Sequence, residues 1–528
     1  MKKVLVADTL PEQCMKMLQE AGLEVVYQPG LSEEELKEAA RDVHGIICRS
    51  GAKVTEKVLE SADRLEAICR AGVGVDNIDI AAASRKGVAV MNTPAGNTIS
   101  TAEHTFALLL SLARNIGPAY ASMCEGRWEK KKLTGSQLYG STLGVIGLGR
   151  IGREMAKRAV GFGMTVLAYD PFVTRETAER MGVELRDKLE DVLADCDYLT
   201  VHVPETEKTD GLIGADQIAV MKDGSCLINC ARGSVVDQDA TVAAVKSGKL
   251  RGAAFDVYRR EPPEDYAFAR EEGILATPHL AASTAQAQLA VATEAAEQLI
   301  VALQRGHFRN ALNVVLVPPE EMRVLQPYCD LAVQLGRFVA QLQPGRAEAL
   351  EISYQGELAH DHVELVQSYG AMGLMQGSMT AGVNVVSGPY LVHEHGISVT
   401  GSATVGSEAG FTDLIKLRLT TDAGTGEAAG TVFGRQHPRI VSVEDFHVEL
   451  IPEGHILVVF GRDMPGLIGR VGALLGEAGV NIARMGFGRK EVGGHALLGL
   501  NLDSPCDEDT VDKIRALDVV RRVAAIEL

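Results

Sequence analysis

Residues 143–170 read LGVIGLGRIGREMAKRAVGFGMTVLAYD. The apolar run 143–146 has the character of a buried strand and enters Gly147-x-Gly149-x-x-Gly152. An amphipathic segment from about 150 to 162 follows, and a second apolar run, 165–169, ends in Asp170. A strand, a glycine-rich turn, a helix and a strand closed by an acid form the crossover that binds a dinucleotide. Gly147 permits the tight turn, Gly149 lets the backbone approach a pyrophosphate, and Gly152 lets the helix pack on its strand. The helix start, around Arg150 and Ile151, offers free N–H groups and the positive end of a dipole to the phosphates. Asp170 suits a free ribose 2′-hydroxyl and repels a 2′-phosphate, so NAD is the expected cofactor.

Outward from this unit the alternation continues. Toward the N-terminus, 3–8, 24–27, 45–49, 66–70 and 88–91 read as short buried strands, separated by helical patterns at 11–21, 32–41, 55–62 and 79–86. That order predicts a doubly wound parallel sheet. Ser100-x-x-Glu103 has the spacing of a capping box and opens a helix over about 101–116. Toward the C-terminus, strands are expected near 198–203, 225–230, 252–257 and 274–277, and a long helix over 284–305 that returns to the first sheet. Pro318-Pro319 marks a boundary. Beyond it, 320–450 reads as helices followed by polar strands, with no catalytic motif. The last 75 or so residues read βαββαβ, a ferredoxin-like arrangement. The expected organisation is α/β: a substrate-binding domain of 1–98 with 284–315, a Rossmann NAD-binding domain of 99–283, an α+β intervening domain of 316–452, and a terminal domain of 453–528.

A chain of 528 residues is too long for one core. A formal charge of −18 argues against a nucleic-acid partner. An anionic substrate would need local cations to overcome that field. The nine cysteines are scattered, none forms CxxC, and no metal site is expected. They fit the reducing cytoplasm. Only four apolar residues separate Lys2-Lys3 from Asp8, so a first strand is expected there and not a secretory segment. No apolar run reaches the roughly 18 residues of a membrane span.

Three reactive side chains stand just past predicted parallel strands: Arg232 after 226–231, Glu261 after 252–258, and His279 after 274–277. Ligands of open α/β sheets bind outside the carboxyl ends of the strands, so the three are expected in one cleft. A base, an acid and a fixed cation suit hydride transfer from a 2-hydroxy acid. His279 takes the hydroxyl proton, Glu261 orients it and favours its protonated form, and Arg232 grips the carboxylate with a planar fork.

NCARGSVVD (229–237), DVYRREPP (256–263) and TPHLAAST (277–284) resemble the D-isomer-specific 2-hydroxyacid dehydrogenases. RAGVGVDNID (70–79), MNTPAGNT (91–98) and WEKKKLTGSQLYGSTLGVIGLGRIGRE (128–154) narrow the resemblance to the branch that oxidises 3-phosphoglycerate to 3-phosphohydroxypyruvate, at the entry to serine synthesis. It is strong over about 1–315, and the long form of that branch carries an intervening domain and an ACT regulatory domain. The resemblance implies the catalytic roles above for Arg232, Glu261 and His279. It implies NAD contacts at the three glycines, Arg150, Ile151, Asp170, Val203, Cys230, Ala231, Arg232, Asp256, His279 and Ala281. It also implies substrate contacts at Arg49, Arg70, Val73, Gly74 and Asn97, with Lys130 reaching a neighbouring subunit's cleft in a homodimer or homotetramer. Departures from the family pattern are small: Ser234 follows Arg232-Gly233, Ala281 follows His279-Leu280, and Val73 stands where Thr is common. A dehydrogenase for glycerate or lactate, and an NAD-sensing binding protein like the corepressors, share the catalytic set. In the tail, Arg462-Asp463-Met464-Pro465-Gly466-Leu467 and Gly479-Val480-Asn481-Ile482 suggest an effector site for a small amino acid, L-serine above all. Asp463 would take the ammonium, Asn481 either end, and N–H groups near Gly466 the carboxylate. Gly461 departs from the His or Tyr of serine-binding relatives, and a dimerisation module is the alternative.

Overall fold

The computed structural model describes residues 1–356, 362–379, 382–404, 410–434 and 436–528. Two parallel sheets carry the first 315 residues. The first has five strands in the order Glu24–Tyr27, Lys3–Val6, Gly45–Cys48, Ala67–Arg70, Ala89–Asn92. The second has seven, in the order Ile274–Ala276, Leu250–Phe255, Ser225–Asn229, Tyr198–Val201, Thr142–Ile146, Thr165–Tyr169, Glu184–Leu185. The short strand Glu184–Leu185 carries too little apolar sequence to be anticipated. Gly45–Cys48, Ala89–Asn92, Tyr198–Val201 and Ser225–Asn229 are buried along their whole length because helices cover both faces, which is why they read as unbroken apolar runs.

The helix Ala285–Arg305 leaves the second sheet and packs on the first. Its face of Val291, Ala292, Ala295, Ala296, Leu299 and Leu303 joins the core around Val4, Ile47 and Met91. Gly45 is part of that fit: a Cβ there would stand 3.0 Å from a methyl of Leu299. Burying Leu299 contributes about 1.5–3 kcal/mol. One expectation at the helix Thr98–Arg114 is corrected. Ser100 and Glu103 form no capping box; the helix starts earlier, after Asn97. Ser100 Oγ instead lies 2.7 Å from Thr284 Oγ1, at the start of the returning helix. A tertiary hydrogen bond has displaced the local one.

Beyond residue 318 a long helix, Pro319–Leu342, and the helix Val363–Ser378 cover a six-stranded mixed sheet. Asn384 and the helix Ser387–Glu394 dock this unit on the first domain. Asn384 Nδ2 donates to the Gly87 carbonyl at 2.8 Å, and Arg85 Nε to Glu394 at 2.9 Å. The terminal unit is an antiparallel sheet in the order Ile482–Arg489, His495–Leu502, His455–Arg462, Val520–Glu527. Helices Leu467–Glu477 and Glu508–Arg515 cover one face. The other face, with Ile456, Val458, Phe460 and Leu497, shares a core with Phe446, Val448 and Leu450 of the preceding unit. Among the described residues no helix is long and apolar enough to cross a membrane.

Candidate active site

At the nucleotide crossover each glycine has a distinct steric reason. Gly147 has φ 92°, and a Cβ there would lie 2.6 Å from the His202 carbonyl oxygen. A Cβ on Gly152 would lie 1.9 Å from the Gly147 oxygen, so the helix Arg150–Gly161 reaches its strand only because residue 152 is glycine. A Cβ on Gly149 would meet nothing within 4 Å; it borders open space, as a residue facing a pyrophosphate must. No side chain caps this helix, which leaves its first-turn N–H groups for an anion. Asp170 accepts from the Leu148 N–H at 2.7 Å and the Phe172 N–H at 2.8 Å. It therefore braces the glycine turn as well as ending the second strand. Val203 packs under the same turn. His202 also lies there, Nε2 2.9 Å from Thr200 Oγ1, and burial pushes its imidazole down to about 3. Cys230 is buried, and burial pushes its thiol up to about 12, so it stays a neutral packing group.

The three reactive side chains converge as their strand-end positions predict. The turn after Ser225–Asn229 is set by Asn229, whose side chain accepts from Ala231 N at 3.0 Å and donates to the Arg232 carbonyl at 2.9 Å. Gly233 passes so close to Tyr258 that a Cβ would fall 1.9 Å from its backbone. Arg232 Nη1 donates to the Ala231 carbonyl at 2.8 Å, and its Nε lies 3.4 Å from Asp76 of the first domain. Glu261 accepts from Tyr258 N at 3.0 Å through one oxygen and meets His279 Nδ1 at 2.6 Å with the other. A carboxylate oxygen accepts, so the proton sits on Nδ1 and Nε2 is left as the base. Burial pushes the Glu261 carboxyl up, but His279, the Tyr258 N–H and Arg232 together outweigh it and hold the group below the usual carboxylate range.

His279 has φ 54°, a left-handed backbone that costs free energy in a non-glycine residue. Asp256 supplies what holds it. That side chain is fully buried and accepts from the N–H groups of Leu280 and Ala281, both at 2.8 Å, and from the Thr277 hydroxyl; His104 Nε2 lies 3.3 Å away. Burial pushes the Asp256 carboxyl up, and these donors more than reverse the shift. The carboxylate thus straps the 277–281 loop on both sides of the strained residue.

Between the two sheets lies a cleft of about 950 Å³. Arg232, Glu261 and His279 line one wall; Arg49, Arg70, Val73, Gly74 and Asn97 line the other. Gly74 is required for closure, because a Cβ there would lie 1.9 Å from Arg232 Nη2. Asn97 lines the cleft, and its Oδ1 is buried with no hydrogen-bond partner among the described residues. Lys130 does not reach this cleft; it sits in an exposed turn after the helix Ile116–Cys124. Lys53, Asp76 and Arg259 also line the cleft and went unrecognised in the sequence. The strand-end rule, applied to Gly45–Cys48 as it was to the second sheet, points to Lys53.

The tail residues are not brought together in one protomer. Asp463 follows the strand His455–Arg462 and accepts from Arg489 Nη1 at 2.9 Å and the Gly493 N–H at 3.1 Å. Asn481 donates to Asp503 at 2.6 Å. Registers of His455 with Leu502, Leu502 with Ile482, and Arg462 with His495 put the two at opposite ends of the sheet, roughly 25 Å apart at strand spacing.

Known proteins carry the same parts in the same order. Residues 106–281 match the D-isomer specific 2-hydroxyacid dehydrogenase NAD binding domain, 324–444 the D-3-phosphoglycerate dehydrogenase intervening domain, and 455–518 the ACT domain. The chain is 42% identical over 528 residues to a D-3-phosphoglycerate dehydrogenase of Methanocaldococcus jannaschii, covering 100% of both. It is 40% identical over 529 residues to one of Archaeoglobus fulgidus, again covering 100% of both. Among solved structures, the NAD+-bound 3-phosphoglycerate dehydrogenase of Entamoeba histolytica superposes with TM-score 0.52 at 28% identity, over 60% of this chain and 99% of that one. The chain belongs to the D-3-phosphoglycerate dehydrogenase family of D-isomer specific 2-hydroxyacid dehydrogenases.

Proposed function

We infer that the chain is an NAD-dependent oxidoreductase that converts 3-phospho-D-glycerate to 3-phosphohydroxypyruvate, the first step of L-serine biosynthesis. The observation that carries this is the 2.6 Å contact of Glu261 with His279 Nδ1, in a cleft shared with Arg232 and the cations Arg49 and Arg70. Bound NAD supplies the acceptor for the hydride leaving C2. The residues that would hold it are Gly147, Gly149, Arg150, Ile151 and Gly152 around the phosphates and Asp170 at the adenosine ribose. Val203, Cys230, Ala231, Asp256 and Ala281 complete its surroundings. His279 Nε2 removes the hydroxyl proton as the hydride departs. Glu261 stabilises the resulting imidazolium through Nδ1. Arg232 binds the substrate carboxylate and polarises the carbonyl as it forms, in place of its weak contact with Asp76. Arg49 and Arg70 take the phosphate.

Four units go with this reading: the substrate domain (1–98 and 284–315), the NAD domain (99–283), the intervening domain (316–452) and the ACT domain (453–528). Lys130 enters the cleft of a second copy in a homodimer or homotetramer. L-serine is the proposed effector of the ACT domain, and the nine unbridged cysteines fit a cytoplasmic enzyme. The test is NADH formation from 3-phosphoglycerate against D-glycerate and D-lactate. A strong preference for the phosphorylated acid is expected. Equal turnover of D-lactate would make this a general 2-hydroxyacid dehydrogenase, and NADH binding with no turnover would make it a sensor.

A further inference from the structure

Three cations sit on the first-domain wall of the cleft: Arg49, Lys53 and Arg70. Arg49 and Lys53 stand on the loop after Gly45–Cys48 and Arg70 ends the strand Ala67–Arg70; the buried Asp8 and the half-buried Asn77 fix their backbone. Asp8 accepts from Arg49 N at 2.6 Å and Ala52 N at 3.1 Å. The turn is so tight on Asp8 that a Cβ at Gly51 would lie 2.3 Å from its carboxylate oxygen. From the other side, Asn77 Nδ2 donates to the carbonyls of Arg49 at 2.7 Å and Ala52 at 2.6 Å, while its Oδ1 accepts from Arg70 Nε at 3.1 Å. Val54 bridges to Ile78 and closes the frame. The backbone from 49 to 54 is therefore preorganised.

The charges this frame presents are not neutralised. Among the described residues neither the Arg49 guanidinium nor the Lys53 ammonium has an ion-pair partner. Other cations of the same domain do: Arg64 with Asp42, Arg85 with Glu56, Lys86 with Asp63. Arg70 is half-buried, and it is pushed down first by that loss of solvent and further by Arg232 and Arg49, against the opposing pull of Cys48 and Asp76. Unpaired like charges held together in a chain of formal charge −18 are a standing cost that an anion in the cleft relieves.

We propose that Lys53 is a specificity-determining residue of the substrate site, forming with Arg49 a preorganised two-cation receptor for the doubly charged phosphate at the end of the substrate away from His279. This rests on the substrate reading above and deepens it. The substrate carries one carboxylate charge, taken by Arg232, and a phosphate whose second proton leaves near pH 6. Arg49 and Arg70 bring two charges, of which Arg70 is tied to Asn77; the unpaired Lys53 ammonium adds a third and widens the preference for a dianion over a singly charged group.

The test is a comparison of Lys53→Met and Lys53→Arg with the intact enzyme, using 3-phosphoglycerate, D-glycerate and inorganic phosphate as a competitive inhibitor. Lys53→Met is expected to raise KM for 3-phosphoglycerate and the phosphate inhibition constant roughly tenfold, as loss of one charge-assisted contact does. kcat stays within about twofold, because the residue acts on binding and not on the proton transfer at His279. kcat/KM for D-glycerate is unmoved, the rise of kcat/KM with pH through about 6 flattens, and Lys53→Arg restores most of the loss. An unchanged KM for 3-phosphoglycerate, an equal loss for D-glycerate, or no rescue by arginine each overturns the proposal and leaves Lys53 a solvated surface lysine. A wild-type enzyme that uses D-glycerate as well as 3-phosphoglycerate overturns the substrate reading itself, and the receptor with it.

Discussion

The cleft and the terminal domain use their carboxylates in opposite ways. In the cleft, Glu261 and Asp256 direct their oxygens so that a partner is left with an unused edge: Glu261 takes Nδ1 of His279 and leaves Nε2 open, and Asp256 straps the loop that aims the ring. In the tail, Asp463 is closed on its own hairpin by Arg489 and the Gly493 N–H. Asn481 is likewise closed on Asp503, at the far end of the sheet. One region is assembled within a single protomer with its reactive atoms exposed. The other has its polar groups satisfied internally, and a ligand there must either displace an arginine or bring in a second copy of the chain.

The sharpest way to break this contrast is at His279. Removing a positioned general base costs roughly 10²–10⁴ in rate. His279→Ala is expected to lose turnover on that scale while NADH titration by fluorescence shows near-normal affinity. Near wild-type turnover would remove His279 from the reaction and leave the strained 277–281 loop without a catalytic reason. No variant of the terminal domain should approach this effect in the absence of an effector.

The contrast also explains what the sequence could and could not convey. Strands buried on both faces write themselves as apolar runs, so the two parallel sheets and the positions of Arg232, Glu261 and His279 at strand ends are legible. Asp76 and Arg259 matter only once two domains face each other, and no local pattern signals that meeting. Ser100-x-x-Glu103 shows the reverse failure, a correct local motif overruled by a hydrogen bond to Thr284, 184 residues away. The strap from Asp256 is hidden because its role depends on a loop whose backbone at His279 enters the left-handed region. In the tail, βαββαβ is readable from periodicity. The separation of Asp463 from Asn481 depends on the register of antiparallel strands, which periodicity does not fix.

An intermediate effect is expected at Asp170. Its carboxylate braces Leu148 and Phe172 and, on the proposed reading, also meets the ribose 2′-hydroxyl. Asp170→Ala removes both, so KM for NAD should rise roughly tenfold. KM for NADP should fall or hold, because the repulsion of a 2′-phosphate goes with the carboxylate. Parallel increases for both cofactors would mean that Asp170 serves the glycine turn alone.

The smallest effect is expected in the tail, and it decides how the two regions are related. The measurement has to use the intact chain, because Ile456, Val458 and Phe460 of the terminal sheet are part of a core shared with Phe446 and Leu450, and excising the domain would expose them. Without serine, Asp463→Ala should turn over within about twofold of wild type, since Asp463 touches nothing near the cleft. With serine, two variants separate the roles the carboxylate can have. If Asp463 receives the ligand ammonium, Arg489 is its competitor. Arg489→Ala then frees the carboxylate and strengthens serine inhibition a few-fold, while Asp463→Ala abolishes it. If Asp463 only clamps the 489–494 hairpin, the two variants loosen the same contact and shift the serine response in the same direction. If the intact enzyme ignores serine and calorimetry shows no binding, the effector reading falls. The terminal domain is then a structural and dimerisation module, and its closed carboxylate is what such a module requires.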